Sequence, residues 1–441
     1  MSKVILSLTV AGLVSGAAFG QSKFDSGLCT TIYDVKAGMY GVADVAYCYS
    51  RGGAGFVQSA SGAYTPVDAA SGVSNTRTYS GLQNGVWKNS RLGFNAEENL
   101  GLGHGLKALA LMEFAVTVPL SNGLSTTRQA YLGVDSDYGR VTAGKLEVAS
   151  TDAIVRNSAL EAITSSPTTT LQRTLISSKN LNNGTTVLTT MVTGAAAWWN
   201  NSIGYQSKTY SGFSGRVFYS FGETGEQANG TGITYGTNGS STAATTANSA
   251  TAGSSDNERV SAGVNYAQGP VNLDLVYQGM LKIRNAYPQT GSAANKLEGG
   301  SINEWYVGGS YKFSWMKVMA TYQTTASSLY TATIGQLGET LWTAGVVVPV
   351  SKTTKLRLEY AHVKFNQGAT AQPVAALRRN GGSGSWGFGL TNELSRHATY
   401  YAILTRTQND MNTIEQDVNG TGVDVRGASN TMFATGLSFA F

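Results

Sequence analysis

The sequence predicts an all-β chain that closes into a sixteen-stranded antiparallel transmembrane β-barrel. Three observations predict it. Segments of about ten residues alternate apolar and polar side chains, the pattern of strands with one face in lipid and one in water. Tight turns alternate with long polar connections. Charged residues make up only 13% of 441 residues, against roughly 25% in soluble domains.

A helical route across the membrane is excluded. A spanning helix needs roughly 20 apolar residues in a row, and the best internal run, Leu106 to Val116, is broken by Lys107 and Glu113. The remaining way to satisfy every backbone group in lipid is a closed barrel. Composition agrees: 54 Gly suit turns, 22 Tyr suit the interface, and only 7 Pro interrupt possible ladders. The net charge of +5 comes from dispersed residues, which argues against nucleic-acid binding. Two cysteines cannot build a tetrahedral metal site, and no cofactor motif appears.

The elements follow in order. Lys3, the apolar stretch Val4 to Val14 and Ala18-Phe19-Gly20 read as a signal peptide over residues 1–20, cut after Gly20. The mature chain, 21–441, is expected to hold one barrel. Turns are expected at 101–105, 136–139, 209–213, 268–270, 313–315, 351–354 and 395–397. One strand pair per turn, with a first and a last strand, gives about sixteen strands. They are placed near 35–49, 89–98, 106–116, 126–135, 140–147, 199–208, 214–223, 257–267, 271–281, 302–312, 316–326, 339–350, 355–365, 384–394, 398–409 and 429–441. Segments 50–88, 148–198, 224–256, 282–301 and 367–383 are the long connections. Residues 224–256 are almost all Gly, Ser, Thr, Ala and Asn, too polar to order well.

Alternation assigns the faces. Arg91, Asn95 and Glu97 share one parity, and Leu92, Phe94 and Ala96 the other. Lys355, Arg357 and Glu359 likewise oppose Leu356, Leu358 and Tyr360. In the last strand Leu437, Phe439 and Phe441 hold alternate positions to the final residue. A soluble sandwich alternates too. Low charge throughout and aromatics near strand ends favour the barrel.

Several segments together resemble the general porins of Gram-negative bacteria, above all the betaproteobacterial type. They are Met39–Tyr47, Asn89–Glu98 with Gly103–Phe114, Thr127–Val134 with Tyr138–Lys145, Asn200–Tyr205 with Ser211–Gly215, and Phe441. The resemblance implies a homotrimer in outer-membrane lipid and lipopolysaccharide. It also implies insertion by the barrel-assembly machinery, with Leu437, Phe439 and Phe441 as its signal. The expected function is a water-filled channel for ions and small hydrophilic solutes, selecting by size and charge. The third loop, 148–198, would fold inward and narrow the lumen. Arg91, Arg128 and Lys145 would line the wall, facing Glu147, Asp152 and Glu161, with Arg156, Arg173 and Lys179 as the loop's own bases. Where relatives often carry a further base, Trp198 and Trp199 stand here, and the Pro-Glu-Phe-Gly element of many relatives is absent. Residues 21–36 precede the first strand as a periplasmic tail or a lumen plug. Cys29 would reach Cys48 only by folding back along the barrel, so two free thiols are expected.

His104 and His397 fall in turns and His362 lies toward the far end of its strand, none beside a nucleophile and an orienting acid, so no enzyme is expected. Gly101-x-Gly103-x-Gly105 opens no helix and is a hairpin turn. A substrate-selective channel or a surface adhesin would share the barrel.

Overall fold

The computed structural model describes residues 28–32, 35–53, 56–58, 64–66, 77–119, 123–161, 198–221, 258–281, 301–331, 335–365, 382–409, 414–415, 425–426 and 429–441. The signal-peptide reading, most of the 148–198 loop and the 224–256 segment lie outside these residues. Strand β1 (Leu28–Ile32) is followed by β2 (Val35–Gly53), β3 (Phe56–Gln58), β4 (Tyr64–Pro66), β5 (Arg77–Asn84), β6 (Arg91–Asn99), β7 (Lys107–Val116), β8 (Leu124–Ser136) and β9 (Gly139–Glu147). Helix α1 (Ala149–Arg156) comes next, then β10 (Trp198–Ser207), β11 (Phe213–Ser220), β12 (Arg259–Gln268), β13 (Val271–Met280), β14 (Ile302–Lys312) and β15 (Lys317–Thr331). The chain continues with β16 (Gly335–Pro349), β17 (Thr354–Phe365), β18 (Gly382–Glu393), β19 (Ala398–Asn409), β20 (Ile414–Glu415), β21 (Val425–Arg426) and β22 (Ser429–Ala440).

Every pairing is antiparallel, and the sheet closes when β2 pairs with β22, Val42 opposite Ala440 through Gly53 opposite Ser429. β5 and β6 share one position beside β2, facing Val45–Gly52 and Val35–Val42 respectively. Counting that position once and leaving β1 aside, sixteen staves form the barrel. Closure removes the edges that lipid cannot solvate. At the seam Gly41 donates to the Phe441 carbonyl at 2.9 Å, and Phe441 donates back at 3.0 Å. Gly41 leaves room for that last ring: a Cβ there would stand 2.4 Å from the Phe441 ring, which would have to move.

The predicted strands return with shifts of a few residues, apart from three extensions. β2 runs to Gly53, β15 to Thr331, and β16 begins at Gly335. β5 is an addition, inside the stretch read as a connection. Its sequence, RTYSGLQN, carries few apolar residues to reveal a period. Four short strands, β3, β4, β20 and β21, make a separate small sheet, the first two from the 50–88 connection and the last two from between β19 and β22. No helix among the described residues is long and apolar enough to cross a membrane.

The faces are inverted relative to a soluble sandwich. Large apolar side chains such as Leu132, Val264, Leu275, Val307 and Leu358 point outward. Asn95, Glu113, Ser261, Asn265, Gln278, Gln323 and Glu359 are buried on the inside. Aromatic pairs mark the strand ends: Tyr311 with Phe313 near one rim and Tyr277 with Trp305 near the other.

The 21–36 extension has a defined part. β1 pairs with β2 from Leu28 opposite Met39 to Ile32 opposite Val35. It occupies the edge of β2 that β22 occupies further along, just below Phe441. Cys29 stands opposite Gly38, ten residues from Cys48, or roughly 33 Å along the strand. A disulfide requires Cα atoms within roughly 7 Å, and Cys48 is a free, buried thiol.

Leu275→Arg puts a charge in mid-membrane and should destabilise the barrel by about 2–4 kcal/mol, read from urea-dependent refolding into lipid vesicles. Wild-type stability in that variant would mean that this face does not meet lipid.

Candidate functional site

Two inward segments narrow the lumen. The first is α1 with residues 157–161. Leu146, inward on β9, packs with Ala149, Ala153 and Ile154 of α1 against Phe218, Val276 and Tyr306 of the wall. The Ala149 amide donates to Ser261 Oγ at 3.3 Å, and the Tyr306 hydroxyl to the Ala153 carbonyl at 3.2 Å. Arg156 turns to the wall and is ion-paired with Asp274. Asn157 also donates to Asp274, at 2.7 Å. Burial pulls the Arg156 guanidinium below its ordinary range, opposed by Asp274. Asp152 pairs with Arg216. Further on, Ser158 Oγ and the Leu160 amide donate to Glu359 at 2.5 and 2.9 Å, and Arg357 donates to the Ala159 carbonyl at 2.8 Å. The strap thus runs along the inner wall from β11 to β17.

The second is residues 85–90, between β5 and β6. Asp44, fully buried, organises them. Its carboxylate accepts from the amides of Val86, Trp87 and Lys88 at 2.9, 3.3 and 3.0 Å, and from the Tyr401 hydroxyl at 2.7 Å. Three successive amides on one carboxylate hold the chain in an inward lobe. Trp87 stacks on Tyr401 with ring centroids 5.9 Å apart, and the Arg357 guanidinium lies 4.9 Å from the Trp87 ring centre.

Strap and lobe meet at Glu161. It is paired with Lys88 and, at 3.0 Å, with Arg357. Leu160 completes the packing, against Trp87, Ala46 and Ile403. Burial raises the Glu161 carboxyl, but Lys88 and Arg357 outweigh it and hold it far below the usual carboxylate range.

The opposite wall carries Arg91 and Arg128, which share Glu113. Arg128 Nε donates to Glu113 at 2.8 Å, Arg91 Nε lies 3.6 Å from the same carboxylate, and the Tyr40 hydroxyl donates to it at 2.8 Å. Glu113 is 1% exposed, Arg128 12% and Arg91 30%. Arg128 also lies 4.2 Å from the Trp198 ring centre. Glu147 accepts from Gln129 at 3.0 Å. Lys145 is opposite Ala130 on β8 and takes no ion pair with the strap among the described residues, because its neighbour Leu146 fills the inward direction. Arg173 and Lys179 lie outside the described residues.

Thus Arg91 and Arg128 come together through Glu113, and Asp152, Arg156 and Glu161 lie on the strap. Asp44, Lys88, Asp274 and the counterion role of Glu113 were not foreseen. Parity already set Arg91, Arg357 and Glu359 opposite the apolar face, but not who pairs with whom. Among the described residues no His, Cys, Asp and Glu cluster could hold a metal.

The family model for Gram-negative porins matches residues 7–412. The chain belongs to the Gram-negative porin family. It is a passive diffusion channel of the outer membrane. Solved structures share the fold. The anion-selective porin from Comamonas acidovorans aligns with TM-score 0.62 at 19% identity, over 92% of this chain and 100% of that one. OmpT of Vibrio cholerae, expressed in the outer membrane, gives 0.54 at 12%, over 94% and 100%. OmpF of Salmonella typhi in complex with daunomycin gives 0.53 at 12%, over 94% and 100%. No curated protein sequence matches the chain.

Glu161 supplies a pH test. Its depressed carboxyl favours strap attachment above its ordinary value of 4.5, and that contribution fades as pH falls from there toward the folded value. Single-channel current noise should rise as pH drops below about 4.5, and Glu161→Gln should show the noise already at pH 7. A Glu161→Gln channel as quiet as the wild type at pH 7 would refute this anchoring. Asp44→Ala strands three backbone donors and a hydroxyl, at about 1–3 kcal/mol each if buried. It should raise conductance by releasing the lobe, and unchanged conductance would speak against it.

Proposed function

We propose that solutes pass between the strap-and-lobe junction and the Arg91–Glu113–Arg128 wall, and that this gap sets the size and charge selection of the channel. The observation that carries the reading is the half-exposed set of opposite charges. Lys88, Arg91, Asp152 and Glu161 keep 39%, 30%, 38% and 27% of their side chains open, while their partners Glu113 and Arg216 are buried. Low-dielectric walls focus the field between such groups. Ions then meet fixed charges at close range. Polar solutes align in that field, and apolar ones lose ordered water.

Arg156, bound to Asp274, serves to hold the strap rather than to face solutes. Glu147 belongs to the outer mouth of the same passage, whereas Lys145, beside the inward Leu146, stands outside it. Around this core the reading includes export with cleavage after Gly20 and insertion by the barrel-assembly machinery through Leu437, Phe439 and Phe441. The chain works as a homotrimer surrounded by outer-membrane lipid and lipopolysaccharide. OmpT of Vibrio cholerae has a trimer form with TM-score 0.52 to this chain, which supports that assembly.

Single-channel conductance in a planar bilayer under a salt gradient tests the reading. Stepwise openings in threes are expected. Arg91→Gln should shift the anion-to-cation permeability ratio toward cations by roughly two- to threefold, and Arg128→Gln by less, because that guanidinium is covered. Equal reversal potentials in wild type and Arg91→Gln would remove Arg91 from the selecting wall.

A further inference from the structure

One stave of the barrel is made of two pieces, and the joint between them is the lobe. β5 and β6 stand in turn beside β2. Val45 is opposite Asn84, and Val42 is opposite Arg91. Between those pairs β2 has two residues, Ala43 and Asp44, while the facing chain has six, 85–90. An ordinary bulge carries one extra residue. Here the surplus is larger and turns into the lumen. The length of the lobe is therefore set by the register of β5 on β2.

That register is held by little. A strand keeps its register by the apolar set it must hold on one face, and polar or Gly-rich strands hold it weakly. β5 reads RTYSGLQN, with Leu82 as its one aliphatic side chain. Among the described strands β5 pairs with β2 alone, whereas β6 pairs with both β2 and β7. Leu82 is 60% exposed, opposite the outward Tyr47. Two side-chain contacts mark the present position. Asn84 donates to the Val116 carbonyl at 2.8 Å and accepts from the Val118 amide at 2.9 Å. The hydroxyls of Tyr47 and Ser80 share a hydrogen bond at 2.8 Å, exposed to the outside.

We propose that β5 slides by two residues along β2, feeding chain into the lobe and narrowing the passage. This rests on the reading that solutes pass beside the lobe, and adds a gate to it. A shift of two leaves each side chain on its own face, whereas a shift of one would turn Leu82 into the lumen. Moved toward the lobe, β5 sets Leu82 opposite Val45, Ser80 opposite Tyr47 and Tyr79 opposite Cys48. Asn84 leaves the wall and joins the lobe. The Asp44 carboxylate keeps the amides of Val86, Trp87 and Lys88 throughout. The opposite slide is barred, because it would draw Val86 into the ladder and off Asp44. The gate thus has two positions, separated chiefly by the two hydrogen bonds of Asn84.

The native thiol of Cys48 reads the register. It is free and stands opposite Gly81. Residues directly opposite lie roughly 4.5–5.5 Å apart, within disulfide reach. Tyr79, on the diagonal, lies at roughly 7–8 Å, outside it. The test is single-channel recording of the full-length protein in a planar bilayer, with non-reducing peptide mapping of each variant. The wild type should show a main conductance and a lower one. Oxidised Gly81→Cys should show the main level alone, and a reductant should restore the lower. Oxidised Tyr79→Cys should stay in the lower level. Asn84→Ala should raise the time spent there about tenfold. A wild type with one level would overturn the proposal. So would a Gly81→Cys disulfide that leaves both levels in place, or a Tyr79→Cys thiol that never bonds to Cys48 while Gly81→Cys does. Reversal potential keeps the two readings apart. The selecting wall fails if Arg91→Gln leaves that potential unchanged, whatever the levels do, and the gate fails on the levels while the potential still shifts.

Discussion

The rest of the structure depends on the hydrogen-bonded seam between β2 and β22. Lipid offers no partner to a free backbone group, so a sheet in it must have no edge. Once Val42–Gly53 pairs with the last strand, inside and outside are defined, and each strand must place apolar side chains on one parity and polar ones on the other. The scarcity of charge and the long polar connections follow from that division. The lumen then becomes the place where opposite charges can pair, and each charge there sits near low-dielectric walls. Hence they are mostly paired: Arg156 with Asp274, Arg216 with Asp152, Arg128 with Glu113.

How much of this was legible in the sequence depends on range. Strand positions were legible because period two is local and survives without knowledge of neighbours. β5 escaped because its eight residues carry too little apolar contrast. Parity also put Arg91, Arg357 and Glu359 on the face away from lipid. It could not reveal that Glu161 joins Arg357, since 196 positions separate them in the chain and only the strap's path decides. The lobe at 85–90 was illegible for a related reason. Its conformation is dictated by Asp44, some forty residues upstream, and nothing in VWKN itself encodes an inward turn. The family likeness supplied the strap but not its anchors.

The strap and lobe are built differently and respond differently to the medium. The lobe is held by backbone amides on a carboxylate, a local and directional arrangement. The strap's first half is held by packing of Leu146, Ala153 and Ile154 against Phe218 and Tyr306, which salt does not weaken, and by the covered Arg156–Asp274 pair. Its second half ends on ion pairs that are partly open to the passage, and such pairs weaken as salt screens them. The strap is thus held independently of salt at its Leu146–Ile154 end and is more responsive at its Glu161 end.

β1 has a consequence for how the ring is closed. Because side chains alternate with period two, a last strand displaced by two residues along β2 would keep every side chain on its proper face, and neither lipid nor lumen would reject it. What rejects it is occupancy. Leu28–Ile32 already fill the edge of β2 opposite Val35–Met39, and the Phe441 ring lies over the bare Cα of Gly41. The short strand works as an end-stop, so the barrel's shear is counted from its N-terminal hairpin rather than from the pleat.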